Sequence, residues 1–101
     1  MIIDAVLDPL KEVGIVTAST LEEFSGSSHL VTAHQIDLPT AALIGEKIGQ
    51  ELPKEIFVVA IVASDVTTFC EKCTDKVEAA IEPAAGLAIE IARRGAACPN
   101  L

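Results

Sequence analysis

The sequence has few aromatic residues and few bases. Only three of its 101 residues are aromatic, all of them Phe, whereas half are hydrophobic. The core must therefore consist of Ile, Val, Leu and Ala, a composition that suits strands buried under helices on both faces. Seven bases stand against 15 acids, which gives a formal net charge of -8. Because binding to a phosphate backbone needs clustered Lys and Arg, we exclude nucleic acid as a partner.

The chain also lacks a long hydrophobic segment. Its longest apolar run, I-F-V-V-A-I-V-A from Ile56 to Ala63, has the length of a strand and not the ~20 residues of a membrane span. The first residues, Met-Ile-Ile followed by Asp4, contain no basic region of a signal peptide. Three cysteines, an odd number, argue against a secreted disulfide framework. We therefore expect a cytoplasmic protein with no membrane contact.

Apolar runs and turn signals predict three strands. Two buried strands, Ile2–Leu7 and Ile56–Val62, are expected to lie parallel at the centre of a sheet, with Gly14–Thr17 as an edge strand. Helices between and after them indicate one layered α/β domain over residues 1–101, in which a mixed, mostly parallel sheet lies between two helical layers.

Helix signals follow the second strand. The sequence S-T-L-E from Ser19 to Glu22 matches a capping box, which predicts a helical turn through Phe24. A second helix should begin near Pro39 and end at Pro53. Its expected inner face consists of apolar residues at helical spacing, namely Ala41, Ile44, Ile48 and Leu52.

The C-terminal part is also predicted to be helical. Asp75 and Glu78 can cap a short helix, and Pro83 should interrupt it because proline lacks a backbone donor. A longer helix is then expected from Pro83 to Arg94.

Asp4 and His34 are the candidate site residues. A carboxylate within an apolar strand is costly unless it is paired, hydrogen-bonded or exposed, so Asp4 is either functional or a structural cap. An imidazole beside a carboxylate suits divalent metals such as nickel or zinc, and it also suits acid–base chemistry. The competing histidine, His29, follows a S-G-S-S loop, and we interpret it as a surface residue.

Cys70 and Cys73 form a C-x-x-C motif between a strand and a helix. This is the arrangement of thioredoxins, where the helix N-terminus lowers the pKa of a thiol. A thioredoxin-like domain needs further strands downstream, however, and a four-cysteine zinc site needs two more ligands, whereas Cys98 is the only other cysteine. We interpret the pair as thiols that lie close together by chance, with a thiol redox protein as an alternative.

Four stretches, taken in order, resemble the hydrogenase maturation endopeptidases. They are I-I-D-A-V near the start, V-T-A-H-Q-I-D-L-P-T in the middle, the strand I-F-V-V-A-I-V, and D-V-T-T-F-C-E-K-C-T-D-K-V-E-A-A-I after it. Members of this family remove the C-terminal extension from the large subunit of nickel–iron hydrogenases. The last stretch is most similar to the archaeal branch that serves deazaflavin-reducing hydrogenases.

The resemblance implies a phosphorylase/hydrolase-like fold and a protein partner, the hydrogenase large-subunit precursor. It maps the family's strand aspartate onto Asp4 and its histidine onto His34. Both side chains would then reach a nickel ion that the substrate carries, with positions left open for the precursor's own cysteines. The family has no conventional catalytic serine or cysteine, and the sequence offers no candidate for one.

The chain departs from the family pattern at its start. Family members begin with a G-x-G-N strand, an acid that serves as a third ligand, and a first helix, and this chain begins after them. It would correspond to the C-terminal two-thirds of the family fold. We therefore expect a bare sheet edge at Ile2–Leu7, open to pairing with a second copy. The chain is a fragment, a half-protein completed by another polypeptide, or a relative that binds precursors without cleaving them.

Overall fold

The computed structural model describes residues 1–25 and 38–96. The elements in order are β1 (Ile2–Val6), β2 (Val16–Thr20), α1 (Leu21–Ser25), α2 (Leu38–Lys47), β3 (Phe57–Val62) and α3 (Asp75–Ala96). The strands form a sheet in the order β1-β3-β2, in which β3 is parallel to β1 and antiparallel to β2. The predicted three-layer α/β architecture with a mixed sheet is confirmed.

Strand β3 is the centre of the core because its residues are apolar without interruption. Val58 and Ala60 point to one face of the sheet, where they pack with Phe24 of α1. Val59 and Ile61 point to the other face and pack against α3. A strand buried on both faces needs this continuous apolar sequence. The predicted parallel pairing of β1 with β3 is confirmed, but in the described sheet only β3 is central and β1 lies at the edge.

Strand β2 is the edge strand that the sequence predicts, but it begins later. The prediction started at Gly14, whereas the strand runs from Val16 to Thr20. Gly14 has a φ of +94°, a conformation that L side chains avoid, and its N–H donates to the carbonyl of Val62 at 2.7 Å. Gly14 is thus a turn residue that leads the chain into β2.

The capping box of α1 exists, shifted by one residue from the prediction. The Thr20 hydroxyl accepts a hydrogen bond from the Glu23 N–H at 3.2 Å, and the Glu23 carboxylate accepts one from the Thr20 N–H at 3.1 Å. Thr20, not Ser19, is therefore the N-cap residue, and Glu23, not Glu22, closes the box. Pairing of β2 with β3 continues through Thr20, which keeps Ser19 in the strand.

Helix α2 ends earlier than predicted. Gln50 N–H donates to the Gly45 carbonyl at 2.9 Å and Gly49 N–H to the Glu46 carbonyl at 3.1 Å, and Gly49 has a φ of +86°. These bonds define a Schellman motif, which ends a helix at a left-handed glycine. The prediction of Pro53 as the helix end was wrong because it treated Gly49 as a helical residue.

The predicted inner face of α2 is not buried. Ile44 and Ile48 are 46% and 69% exposed, and Leu52 lies beyond the helix. The reason is the position of the helix, since α2 packs mainly against α1 and not on the sheet. The helical spacing of apolar residues correctly predicted the presence of α2, but it did not show which part of the protein packs against the helix.

Helix α3 is one 22-residue helix, which contradicts the predicted interruption at Pro83. Ala80 and Ala84, one turn apart on either side of Pro83, are both buried against Val59 and Ile61. Their small side chains let the helix lie close to the sheet, and this continuous stripe outweighs the cost of one proline. Pro83 itself is exposed.

In the described part of the chain, the outer edge of β1 has no partner strand, and we call it the free edge. Within residues 1–25 and 38–96, β1 pairs only with β3. Its Ile3 side chain is 51% exposed because α3 covers β3 and β2 instead of β1.

Candidate functional site

Asp4 lies in the middle of β1, opposite Ala60 of β3. It shares a face of the sheet with Val6, which is buried against Phe24, while Asp4 itself is half-buried. Its Oδ1 accepts a hydrogen bond from the N–H of Ala5 at 2.9 Å. The cost of a carboxylate in an apolar strand is thus reduced by partial exposure and by a backbone donor.

The Ala5 N–H lies on the free edge of the sheet. Backbone groups of successive strand residues point to opposite sides, and the Val6 carbonyl faces β3, where it accepts from the Ala63 N–H at 2.8 Å. Ala5 must therefore direct its N–H away from β3. Asp4 Oδ1 therefore lies toward the side of β1 that has no partner strand within residues 1–25 and 38–96.

Asp8 precedes Pro9 in the sequence, and this D-P pair signals a turn. It follows β1 at the carboxyl end of the parallel pair and is 7% exposed, the only buried charged residue in the described part of the chain. Its Oδ1 accepts from the Leu10 N–H at 2.9 Å, and its Oδ2 lies 4.0 Å from Lys11 Nζ. These partners assign Asp8 to the turn after β1, which agrees with the D-P signal.

The histidine predictions lie outside the described residues. His34, the proposed partner of Asp4, and His29, its competitor, both fall between residues 26 and 37, and Cys98 follows the described part of α3. Residues 1–25 and 38–96 contain no group of three or more His, Cys, Asp or Glu side chains that could hold a metal. The pairing of Asp4 with His34 therefore stays a prediction.

The loop from residue 63 to 74 joins β3 to α3 and contains the C-x-x-C pair. Asp65 Oδ1 accepts from the N–H groups of Thr67 and Thr68 at 2.9 and 3.0 Å. Hydrogen bonds from Thr68 and then Thr67 hold the pKa of Asp65 well below its ordinary value of 3.8. Cys70 and Cys73 beyond this turn are exposed free thiols.

A groove of about 820 Å³ lies at the other end of the sheet, beside the start of β3. Its walls are formed by α1, α2 and residues 52–56. Three carboxylates, Glu22, Glu46 and Glu55, and one base, Lys54, are among its lining residues. Asp4 is not among them, so the candidate site and the groove are separate.

Comparison with known proteins gives one informative match. No protein-family model and no curated protein match the sequence. Among solved structures, the [NiFe] hydrogenase maturation protease HybD from Thermococcus kodakarensis matches with a TM-score of 0.66 at 23% identity, over 89% of this chain. The two proteins share a fold. This chain spans 63% of the length of HybD, and at this identity the match concerns architecture alone.

The described helices were also considered as membrane spans. None of them combines the length and the hydropathy that crossing a bilayer requires.

Proposed function

We propose that the protein belongs to the hydrogenase maturation endopeptidases and acts on the large-subunit precursor of a nickel–iron hydrogenase. It would remove the C-terminal extension of that precursor after nickel insertion. The observation that carries the proposal is the fold shared with HybD. The order of four sequence stretches that resemble the family is the second support, and it is independent of the structure.

In this proposal the metal belongs to the substrate. Asp4 supplies a carboxylate and His34 an imidazole, two donors that suit nickel, and the precursor's own ligands occupy the other positions. The partial exposure of Asp4 in β1, at the edge of the described sheet, supports this role. Nickel would position the scissile peptide and polarise it.

A second candidate is capture of the precursor without cleavage. More than a third of the length of HybD has no counterpart in this chain, which spans 63% of it. The family's third acidic ligand, which the resemblance places upstream of β1, would fall in that part. Under this candidate, Asp4 and His34 bind the nickel-loaded precursor but the peptide bond stays intact.

Self-association is part of the proposal for partners. Within residues 1–25 and 38–96, only β3 pairs with β1, which leaves its other edge without a partner strand, and Met1 and Ile3 are 48% and 51% exposed. Such an edge pairs readily with a second chain. We expect two copies to associate through β1 when no other strand is available.

The deciding experiment compares nickel-loaded with nickel-free precursor as substrate, with mass spectrometry of the large subunit as the readout. Cleavage only of the loaded form supports the protease. Loss of cleavage in Asp4→Asn and His34→Ala, with activity retained in the matched controls Glu12→Gln and His29→Ala, assigns the two ligands. Binding of the loaded form without cleavage supports the second candidate, and equal treatment of both forms contradicts both.

A further inference from the structure

The C-x-x-C turn between β3 and α3 has features that the proposed protease role does not use. It is held at both ends, by the Asp65 turn before it and by the Thr74 carbonyl after it, which accepts from the Glu78 N–H in the first turn of α3. Between these anchors, Cys70 and Cys73 are exposed and unbridged. A turn fixed at both ends can present two sulfurs in a defined direction.

The backbone of this turn forms a hydrogen bond with the sulfur of Cys70. The Lys72 N–H donates to Cys70 Sγ at 3.5 Å. Thiolate is the form of cysteine that binds metal. Donors of this kind orient metal-bound cysteines and stabilise their charge. Two cysteines separated by two residues have the spacing found in structural zinc sites.

One chain supplies only half of such a site. Structural zinc takes four ligands in a tetrahedron. Within residues 1–25 and 38–96, no third His, Cys, Asp or Glu side chain converges with this pair into a group that could hold a metal. The exposure of both thiols leaves room for another molecule to provide the other two ligands.

We propose that Cys70 and Cys73 from two copies of the chain bind one zinc ion through four thiolates and so join the copies. The neighbouring Phe69 is 104% exposed, an unusual position for the largest apolar side chain of this loop. A second copy that docks on the turn would cover this ring.

The test is titration of the reduced, full-length protein with Co²⁺, followed by Zn²⁺ competition. We expect thiolate-to-cobalt charge-transfer absorption and strong visible bands of tetrahedral cobalt that saturate at one ion per two chains. Light scattering should show that Zn²⁺ doubles the molar mass and that a chelator reverses this. Cys70→Ser and Cys73→Ser should lose both effects while circular dichroism confirms an intact fold.

Matched variants separate this site from other possibilities. Cys98→Ser should leave metal binding and zinc-dependent dimerisation unchanged. Saturation at one ion per chain without a change in mass would overturn the proposal, as would loss of binding in Cys98→Ser. Neither result bears on cleavage of the precursor, so the two proposals fail independently.

Discussion

The carboxylate of Asp4 accepts a hydrogen bond from the N–H of the next residue, Ala5, at 2.9 Å. That N–H lies on the side of β1 that has no partner strand in the described part of the chain. Asp4 therefore places a negative charge on this edge and already accepts the hydrogen bond of the Ala5 N–H. Both features oppose pairing of this edge with another strand. Asp4, which we propose to bind the nickel of the precursor, thus also disfavours self-association through β1.

We predict that Asp4→Ala increases self-association. The substitution removes the charge and frees the Ala5 N–H to pair with another strand. One net hydrogen bond corresponds to about 1 kcal/mol, so the midpoint of association should move to a roughly fivefold lower concentration. Analytical ultracentrifugation measures this midpoint. Glu12→Ala, which removes the same charge from an exposed turn, serves as the control, and an equal shift in both variants would contradict the role of Asp4.

We predict that Thr20→Ala destabilises the protein by about 1 kcal/mol, the usual cost of losing an N-cap. The Thr20 hydroxyl accepts from the Glu23 N–H, and α1 carries the buried Phe24. Urea denaturation measures the free energy of unfolding. Ser19→Ala is the matched control, because Ser19 is the cap that the sequence alone suggested. A larger loss in Ser19→Ala would show that the box is misplaced.

We predict opposite effects of alanine at two glycines. Gly49→Ala should destabilise the protein by about 1–2 kcal/mol, since a Cβ is strained at a φ of +86°. Gly86→Ala should stabilise it by about 0.5–1 kcal/mol, because Gly86 lies inside α3 and a Cβ there meets nothing within 4 Å. Thermal and urea unfolding report both changes. A gain in stability in Gly49→Ala would contradict the Schellman end of α2.

We predict that stability falls on acidification through two carboxylates. The Thr20 backbone, and then its hydroxyl, hold the pKa of Glu23 below its ordinary value of 4.5, and Thr68 and Thr67 do the same for Asp65. A carboxyl group with a lowered folded pKa stabilises fully above its unfolded pKa, and this contribution is lost as pH falls toward the folded pKa.

The free energy of unfolding measured from pH 6 downward, at the ordinary carboxyl pKa of about 4 and below, tests this acid sensitivity. In the wild type it should decline from about pH 5. Glu23→Gln and Asp65→Asn should each start lower at pH 6 and decline less steeply. Curves parallel to that of the wild type would contradict the assignment.

Some strands and helices could be predicted from the sequence, because a short stretch of residues defines them and because they are completely buried. The run from Phe57 to Val62 is apolar throughout, and only a strand buried on both faces uses such a run. The free edge of β1 was also predicted, through the family resemblance. The capping box needed the end of β2 to be located to within one residue, which local pattern does not supply.

Other elements depended on packing that the sequence does not display. Pro83 is tolerated because Ala80 and Ala84 together seal α3 onto the sheet, and no local rule weighs that gain against the proline. The exposure of Ile44 in α2 follows from the helix resting on α1. For the candidate site, the role of Asp4 stays a prediction, and the sequence did not show its hydrogen bond to the Ala5 N–H, which depends on the direction of backbone groups at the edge.

The most direct test of the central claim is whether Asp4 and His34 act together on nickel held by the precursor. Calorimetry should measure the affinity of the protein for nickel-loaded and nickel-free precursor, in the wild type, Asp4→Asn, His34→Ala and the double variant. We predict a preference for the loaded form that each single variant loses, with the double variant no weaker than the singles, because two ligands of one ion are energetically coupled. Additive losses of equal size for loaded and nickel-free precursor would contradict the account.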